Sequence, residues 1–483
     1  MHVDDGFDSQ PAGPALKEYE VEFTVRTLPE ILDFQNREAA HVAGIIAIGQ
    51  GHAATLLRHF TWNKDQLLER YMEDPEKVLR DACVVLDERL APKIETHVAG
   101  FMCEVCCDDD PATESIALSC GHRFCLDCYR RYLTSKIMDD GESRRISCMA
   151  RDCSLVVDQV TVRELASPEE FAKYQSLLLR TYVDDSAYLR WCPGVGCDNA
   201  IECHVAKTKL DLITPTVTCL CGTRFCFGCG HEGGHQPCVC GLVKSWLKKC
   251  ADDSETANWI SANTKQCPKC EATVEKNGGC NHMTCKKCAY HWCWICSGPW
   301  EKHGTSYYNC NLFNDKDASS ARDAQAKSRM ALERYLHYYN RYANNEQSAK
   351  LSLEHMNKTE QRMTQMQEST SLSWIEVQFL RSAVETSVKC RNVLKWSFAF
   401  AYYMKQENNQ TALFEANQTS LQMAVEDLSG HCESEDLMDP AKLPELRKKI
   451  INTAVFVEQR SEVMLKDTAM GLREKRWEWA WKP

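Results

Sequence analysis

Apolar positions recur at helical spacing in several stretches of the chain and break into short runs between them. Leu56, Leu57 and Phe60, then Leu67, Leu68 and Tyr71, lie three and four residues apart, the period of one helix face. They predict a small helical module over residues 35–95. In SPEEFAKYQSLLLRTYV (167–183), Ser167 stands just before Pro168, a proline at the first helical position, which predicts a helical linker over 161–186. LVKSWLKKC (242–250) reads as another short helix, entering a second linker over 244–262. From about residue 317 the chain becomes long and helical. Ser373-x-x-Glu376 is a capping-box signature, and Val377, Leu380, Val384 and Val388 follow at helical spacing. Such a stripe is the buried face of a helical bundle, expected over 317–483. The longest apolar run, VLKWSFAFAYYM (393–404), contains Lys395 and falls short of the roughly 20 residues a spanning helix needs. No membrane role is expected.

With 483 residues, 44% hydrophobic and 26% charged, the chain is long enough for several domains. Residues 1–34 are rich in acidic side chains and predict a flexible tail. The opening MHVDDGFDSQ has no signal-peptide pattern. The expected location is therefore the cytoplasm, with the nucleus left open. A net charge of −11 is the opposite of the basic field that phosphate backbones require, so no nucleic-acid partner is expected. The basic run ELRKK (445–449) reads as a solvated helix face.

Cysteine changes the picture. Of 29 cysteines, 26 lie between Cys103 and Cys310, a density that points to metal sites rather than disulfides in a chain without secretory signals. Tetrahedral zinc takes four Cys or His ligands, and a Cys-x-x-Cys turn aims two thiolates at one ion. Three octets follow. The first is Cys103, Cys106, Cys120, His122, Cys125, Cys128, Cys148 and Cys153, within a module over 100–160. The second is Cys192, Cys197, Cys219, Cys221, Cys226, Cys229, His235 and Cys240, within 187–243. His231 and Cys238 are the alternatives to its last two members; His235 and Cys240 are preferred because four residues separate them, as between Cys148 and Cys153. The third is Cys267, Cys270, Cys285, Cys288, Cys293, Cys296, His303 and Cys310, within 263–312. Together these 24 ligands predict six closed zinc sites, which are structural because they leave no open coordination position. The metal replaces cores that such small modules cannot build.

Five clustered cysteines remain: Cys107, Cys203, Cys238, Cys250 and Cys280. Cys280 differs from the other four. It follows Gly278 and Gly279, which permit close approach by a partner. It lies between two ligand pairs of one zinc site, and His282 stands two residues on. A thiol is a good nucleophile even at its ordinary pKa, and an imidazole can accept a proton from it or from an incoming amine. On spacing alone, a buried or spare cysteine beside a surface histidine is an equal reading.

The three octets in this order resemble the RING-in-between-RING (RBR) class of ubiquitin-protein ligases: a first RING, an in-between-RING module and a catalytic second RING-like module. WNKDQLLERY (62–71), FCFGCG (225–230), CPKC (267–270), EKNGGCNHMTC (275–285), GPWEKHGTSYYNCN (298–311), ARDAQAKSR (321–329) and SWIEVQFL (373–380) resemble its Ariadne subfamily. The implied fold is multidomain and mainly α, with small zinc-stabilised α+β modules. It comprises ubiquitin-associated-like helices, three tandem two-zinc modules and a C-terminal helical bundle. The resemblance implies that the first RING recruits a charged ubiquitin-conjugating enzyme, with Val105 as an apolar contact. Ubiquitin would then pass to Cys280 as a thioester and on to a lysine of a protein substrate with help from His282. The linkers must let the third module travel for that step. Many relatives carry a glutamate that can support the histidine; the matching position here is His291. The resemblance further implies autoinhibition by the C-terminal domain, through Leu353, Glu354 and Glu426, and release by a partner such as an activated cullin-RING ligase carrying a ubiquitin-like modifier. A non-covalent ligase and a zinc adaptor without catalysis are the competing readings, and Cys280 separates them from the relay.

Overall fold

A computed structural model describes residues 16–86, 92–252, 264–276, 279–302, 324–369, 374–406, 408–439 and 441–480. The chain forms two compact units: Phe23–His204 with Cys219–Thr223, and Val205–Thr218 with Arg224–Pro483 and the described residues before Phe23.

In the first unit, β1 (Thr24–Arg26) enters a three-stranded antiparallel sheet, and helices α1 (Leu28–Ile46), α2 (Gln50–His59), α3 (Lys64–Glu73) and α4 (Pro75–Asp81) follow. Helix α1 thus begins inside the stretch expected to be tail. Composition misled there because the local cap decides: the Glu30 carboxylate accepts from the Thr27 backbone N–H and hydroxyl, both at 2.8 Å, with Pro29 in the first turn. The predicted stripe is realised, with Leu56, Leu57 and Leu67 buried against Val42 and with Phe60, Leu68 and Tyr71 packed on them. Strands β2 (Lys93–Glu95), β3 (Ser115–Ala117) and β4 (Arg123–Cys125) form one antiparallel sheet, and α5 (Leu126–Thr134) leaves it. Their core is Ile116, Phe124, Tyr129 and Leu133. After α6 (Gln159–Leu165), α7 (Pro168–Asp185) opens on the predicted cap: Ser167 N–H donates to Glu170 at 2.7 Å, and Glu170 N–H donates to Ser167 Oγ at 3.2 Å. Strands β5 (Leu189–Trp191) and β6 (Ala200–Glu202) complete the first sheet in the order β1–β6–β5.

In the second unit, three two-stranded hairpin sheets precede and follow one helix. They pair β7 (Thr216–Thr218) with β8 (Arg224–Cys226), β9 (Thr264–Gln266) with β10 (Thr273–Glu275), and β11 (His282–Thr284) with β12 (His291–Cys293). The helix between the first and second pairs is α8 (Cys240–Asp252). Four long helices follow: α9 (Ala324–Ser369), α10 (Trp374–Tyr403), α11 (Asn409–Cys432) and α12 (Leu443–Arg473). Ser373 and the Val377 side chain lie outside the described residues, whereas Leu380 and Val384 are buried in the bundle and Val388 packs against it. The apolar run 393–404 is the bundle's centre, with Trp396, Phe398 and Phe400 fully buried. Lys395 is tolerated there because its ammonium lies 3.0 Å from the Glu346 carboxylate and about 5 Å above the Tyr342 and Trp396 rings. No single described helix is long and apolar enough to cross a membrane.

Helix α8 joins the same core. Trp246 is completely buried, with its ring 5.8 Å from Tyr335, 5.5 Å from Tyr342 and 5.3 Å from Tyr402. Trp246→Ala is therefore expected to cost about 3–5 kcal/mol, read as a lower bundle transition in scanning calorimetry.

Candidate functional site

Five groups of four ligands converge among the described residues, each with its ligand atoms within 4.8 Å of one another. Cys103, Cys106, Cys125 and Cys128 form one, and Cys120, His122, Cys148 and Cys153 the next. These two interleave along the chain. Cys192, Cys197, Cys219 and Cys221 form a third; Cys226, Cys229, His235 and Cys240 form a fourth, and these follow one another in sequence. Cys267, Cys270, Cys285 and Cys288 form the fifth. Cys293 and Cys296 are described, but His303 and Cys310 lie outside the described residues.

The donor sets fit zinc. Bonds of about 2.3 Å to tetrahedral Zn²⁺ put neighbouring sulfurs about 3.8 Å apart. The observed separations are 3.6 Å for Cys106–Cys125, 3.7 Å for Cys120–Cys148, 3.6 Å for Cys192–Cys221 and 3.7 Å for Cys226–Cys240. Cys267–Cys288 at 3.7 Å and Cys270–Cys285 at 3.6 Å agree. All are far longer than a disulfide bond. His235 and Cys240, rather than His231 and Cys238, complete the fourth group. His235 Nδ1 bonds the Cys238 carbonyl at 2.8 Å, which turns Nε2 toward Cys229, while His231 packs edge-on against Trp396. The Cys238 thiol is buried and donates to the Trp396 carbonyl at 3.1 Å.

Cys280 belongs to none of the five groups, although Cys270 and Cys285 of the fifth flank it. It lies between β10 and β11 against three helices of the bundle. Gly279 is what lets it approach, since a Cβ there would collide with Ser352 Oγ and come within 3.3 Å of the Ser348 carbonyl, both on α9. Gly279 N–H donates to the Glu433 carboxylate at 2.7 Å. Glu426 of α11 accepts from the backbone N–H of Asn281 and from Asn281 Nδ2, both at 2.5 Å. Its carboxylate also takes Gln422 Nε2–H at 2.7 Å and pairs with the fully buried Arg391 at 3.3 Å. The Cys280 sulfur sits 3.9 Å from the Glu426 carbonyl oxygen. Burial, and then the Glu426 charge, push the thiol well above its ordinary pKa; the His282 backbone N–H, 3.4 Å from the sulfur, pulls it down.

The His282 imidazole has partners of its own. Its Nε2 shares a hydrogen bond of 2.9 Å with His291 Nδ1, and its ring stacks on Trp300 at 4.4 Å. Burial, followed by the neighbouring His291, lowers its pKa, which keeps the ring neutral and able to accept a proton. His291 Nδ1 also lies 3.1 Å from Thr284 Oγ1.

The remaining expected residues are dispersed. Val105 is 58% exposed in the turn between Cys103 and Cys106, next to the exposed Met102. Leu353 and Glu354 are exposed on α9, and the α9 contacts with the Cys280 loop come from the preceding turns, at Ser348 and Ser352. Sequence reasoning missed Lys276, Asn281 and Arg391. Asn281 had one available signal, its place between Cys280 and His282; Lys276 and Arg391 had none, because only the fold brings them together.

Removal of zinc should separate the parts of the molecule. A strong chelator is expected to release metal, measured with a colorimetric zinc indicator. It should abolish ordered structure in the cysteine modules while most of the helical circular dichroism from α9–α12 persists, because no metal group lies in that bundle among the described residues.

Family models agree with this organisation. "E3 ubiquitin-protein ligase ARIH1, UBA-like domain" matches residues 33–73, and "Zinc finger, C3HC4 type (RING finger)" matches 103–150. "IBR domain, a half RING-finger domain" matches 172–240, "IBR domain" matches 262–310, and "Ariadne domain" matches 333–467. The chain is 47% identical to the E3 ubiquitin-protein ligase dbl4 of Schizosaccharomyces pombe, over 99% of this chain and 92% of that protein. It is 42% identical to the E3 ubiquitin-protein ligase ari-1.1 of Caenorhabditis elegans, over 93% and 89%. With human E3 ubiquitin-protein ligase ARIH1 the identity is 40%, over 96% and 83%. With a RING, two IBR-type zinc modules and an Ariadne bundle in one chain, this protein belongs to the Ariadne subfamily of RBR ubiquitin-protein ligases.

Proposed function

We propose that the chain accepts ubiquitin from a charged conjugating enzyme onto Cys280 as a thioester and transfers it to a lysine of a protein substrate. The observation that carries this reading is the Cys280 thiol, held outside the zinc groups by ligands that flank it on both sides. The thiolate attacks the incoming thioester; an amine then attacks the Cys280 thioester, with His282 taking a proton in that second step. Exposed Val105 and Met102 suit an apolar contact with the conjugating enzyme. A sixth zinc held by Cys293, Cys296, His303 and Cys310 completes the third module.

We read this conformation as the restrained one. Glu426 and Glu433 hold the Cys280 loop against the bundle, and the thiol must leave them to meet its partners. A partner that binds the opened state better shifts the balance, and an activated cullin-RING ligase carrying a ubiquitin-like modifier is the partner we propose.

Two results test this reading. Cys280→Ser combined with Glu426→Ala should trap ubiquitin as a reductant-resistant oxyester. Glu426→Ala alone should form a reductant-sensitive adduct about tenfold faster than the wild type. Because removing the carboxylate lowers the raised thiol pKa, the pH midpoint of Cys280 alkylation should move down in that variant. Absence of any adduct would remove the relay. His282→Ala, in turn, should load normally but discharge to free lysine about 100-fold more slowly; equal discharge would remove the base role.

A further inference from the structure

Glu426 is more than a plug. Its carboxylate takes two donors from the third zinc module, and both belong to Asn281: the backbone N–H bonds Oε2 and Nδ2–H bonds Oε1, each at 2.5 Å, so the two carboxylate oxygens bridge the pair. A backbone N–H on the residue after a nucleophile, joined by a side-chain N–H, is the arrangement that binds the negative oxygen formed in acyl transfer. The orientation of the Asn281 amide is fixed independently. Its Oδ1 accepts from Lys276 Nζ at 2.9 Å and from Asn344 Nδ2 at 3.0 Å, so Nδ2 must face the carboxylate.

Lys276 is an unusual residue to bury. It is 3% exposed, and all three ammonium hydrogens are used, by Asn281, by Asn344 Oδ1 at 3.1 Å and by Ser348 Oγ at 2.6 Å. Desolvation lowers its pKa to about 8, with the Glu426 carboxylate opposing that fall. Asn344 and Ser348 belong to α9, whereas Lys276 and Asn281 belong to the same zinc module, so the Lys276–Asn281 bond needs no partner from the bundle.

We infer that Asn281 supplies the oxyanion-binding donors for ubiquitin transfer, that Lys276 is the positioning residue which aims its amide, and that Glu426 inhibits by occupying those donors with a carboxylate that imitates the oxyanion. This rests on the thioester reading above. In discharge, the nitrogen lone pair of a neutral lysine attacks the thioester carbon, and the C=O π pair moves onto oxygen, where Asn281 N–H and Nδ2–H receive it. Collapse re-forms C=O and breaks the C–S bond. The nitrogen's proton passes to His282 and then to the departing Cys280 thiolate, leaving an isopeptide bond and a thiol.

The inference makes an unusual demand on mutants: residues that hold the lock shut are also required once it is open. Asn281→Asp keeps the size of the side chain and the Lys276 bond but turns the Nδ2 donor into an acceptor facing Glu426. In the full-length chain it should speed Cys280 alkylation, because two carboxylates repel. Yet it should slow ubiquitin transfer from a charged conjugating enzyme to free lysine about 100-fold relative to Glu426→Ala. Lys276→Met, which leaves Asn281 intact, is the independent arm. It should likewise speed alkylation, and in the Glu426→Ala background it should slow discharge about tenfold. Zinc content and the calorimetric transition, matched to Glu426→Ala, certify the fold of each variant. Variants that open the lock and transfer as fast as Glu426→Ala would overturn the inference while leaving the relay standing. If Glu426→Ala itself forms no reductant-sensitive adduct, the relay fails and this inference falls with it.

Discussion

A carboxylate removed from water has to be met by donors, and Glu426 finds four of them in one place. Two come from the residue beside the Cys280 thiol, one from its own helix and one from a guanidinium on the preceding helix. That requirement ties α10, α11 and the Cys280 loop into a single polar arrangement. Because the arrangement is polar, it is conditional. An apolar seal of the same area would release only by exposing hydrocarbon, whereas these donors can be handed to water or to another negatively charged oxygen. A buried ion pair of this kind is a poor source of stability and a good register of one particular alignment.

The scaffold behind the site divides its labour between metal and hydrocarbon. The zinc modules contain strands of only three residues and small cores, and their ligands convert that deficit into rigidity. The bundle needs no such help, since Trp246, Trp396, Phe398 and Phe400 fill its centre. Helix α8 connects the two: it begins at Cys240, a member of the fourth ligand group, and buries Trp246, about two turns on, in the bundle.

Much of this was readable in one dimension because ligand spacing and helical periodicity are local. Cys-x-x-Cys pairs, the Ser167 cap and the Leu380–Val384 stripe all report on neighbours within a few residues. Which pairs share an ion is not local, and the octets did not disclose that the first module interleaves its sites while the second does not. The start of α1 was hidden because acidic composition masked the Thr27–Glu30 cap. Glu426 was named through the resemblance alone, and its partners were hidden for the same reason of distance: Lys276 meets Ser348, and Asn281 meets Glu426, only after the chain has folded back across many residues. Exposure of Leu353 and Glu354, beside buried Ser348 and Ser352, likewise depends on which face of α9 turns inward.

The interleaving of Cys103, Cys106, Cys125 and Cys128 with Cys120, His122, Cys148 and Cys153 bears on how the molecule is made. A growing polypeptide can complete the Cys192–Cys221 centre before Cys226 has left the ribosome. In the first RING, the centre that closes at Cys128 encloses Cys120 and His122, which belong to the other centre. Until Cys153 emerges, its second centre is one thiolate short while the first already clamps the strands on either side, so the nascent RING must hold reduced, metal-hungry sulfurs open until its last ligand arrives.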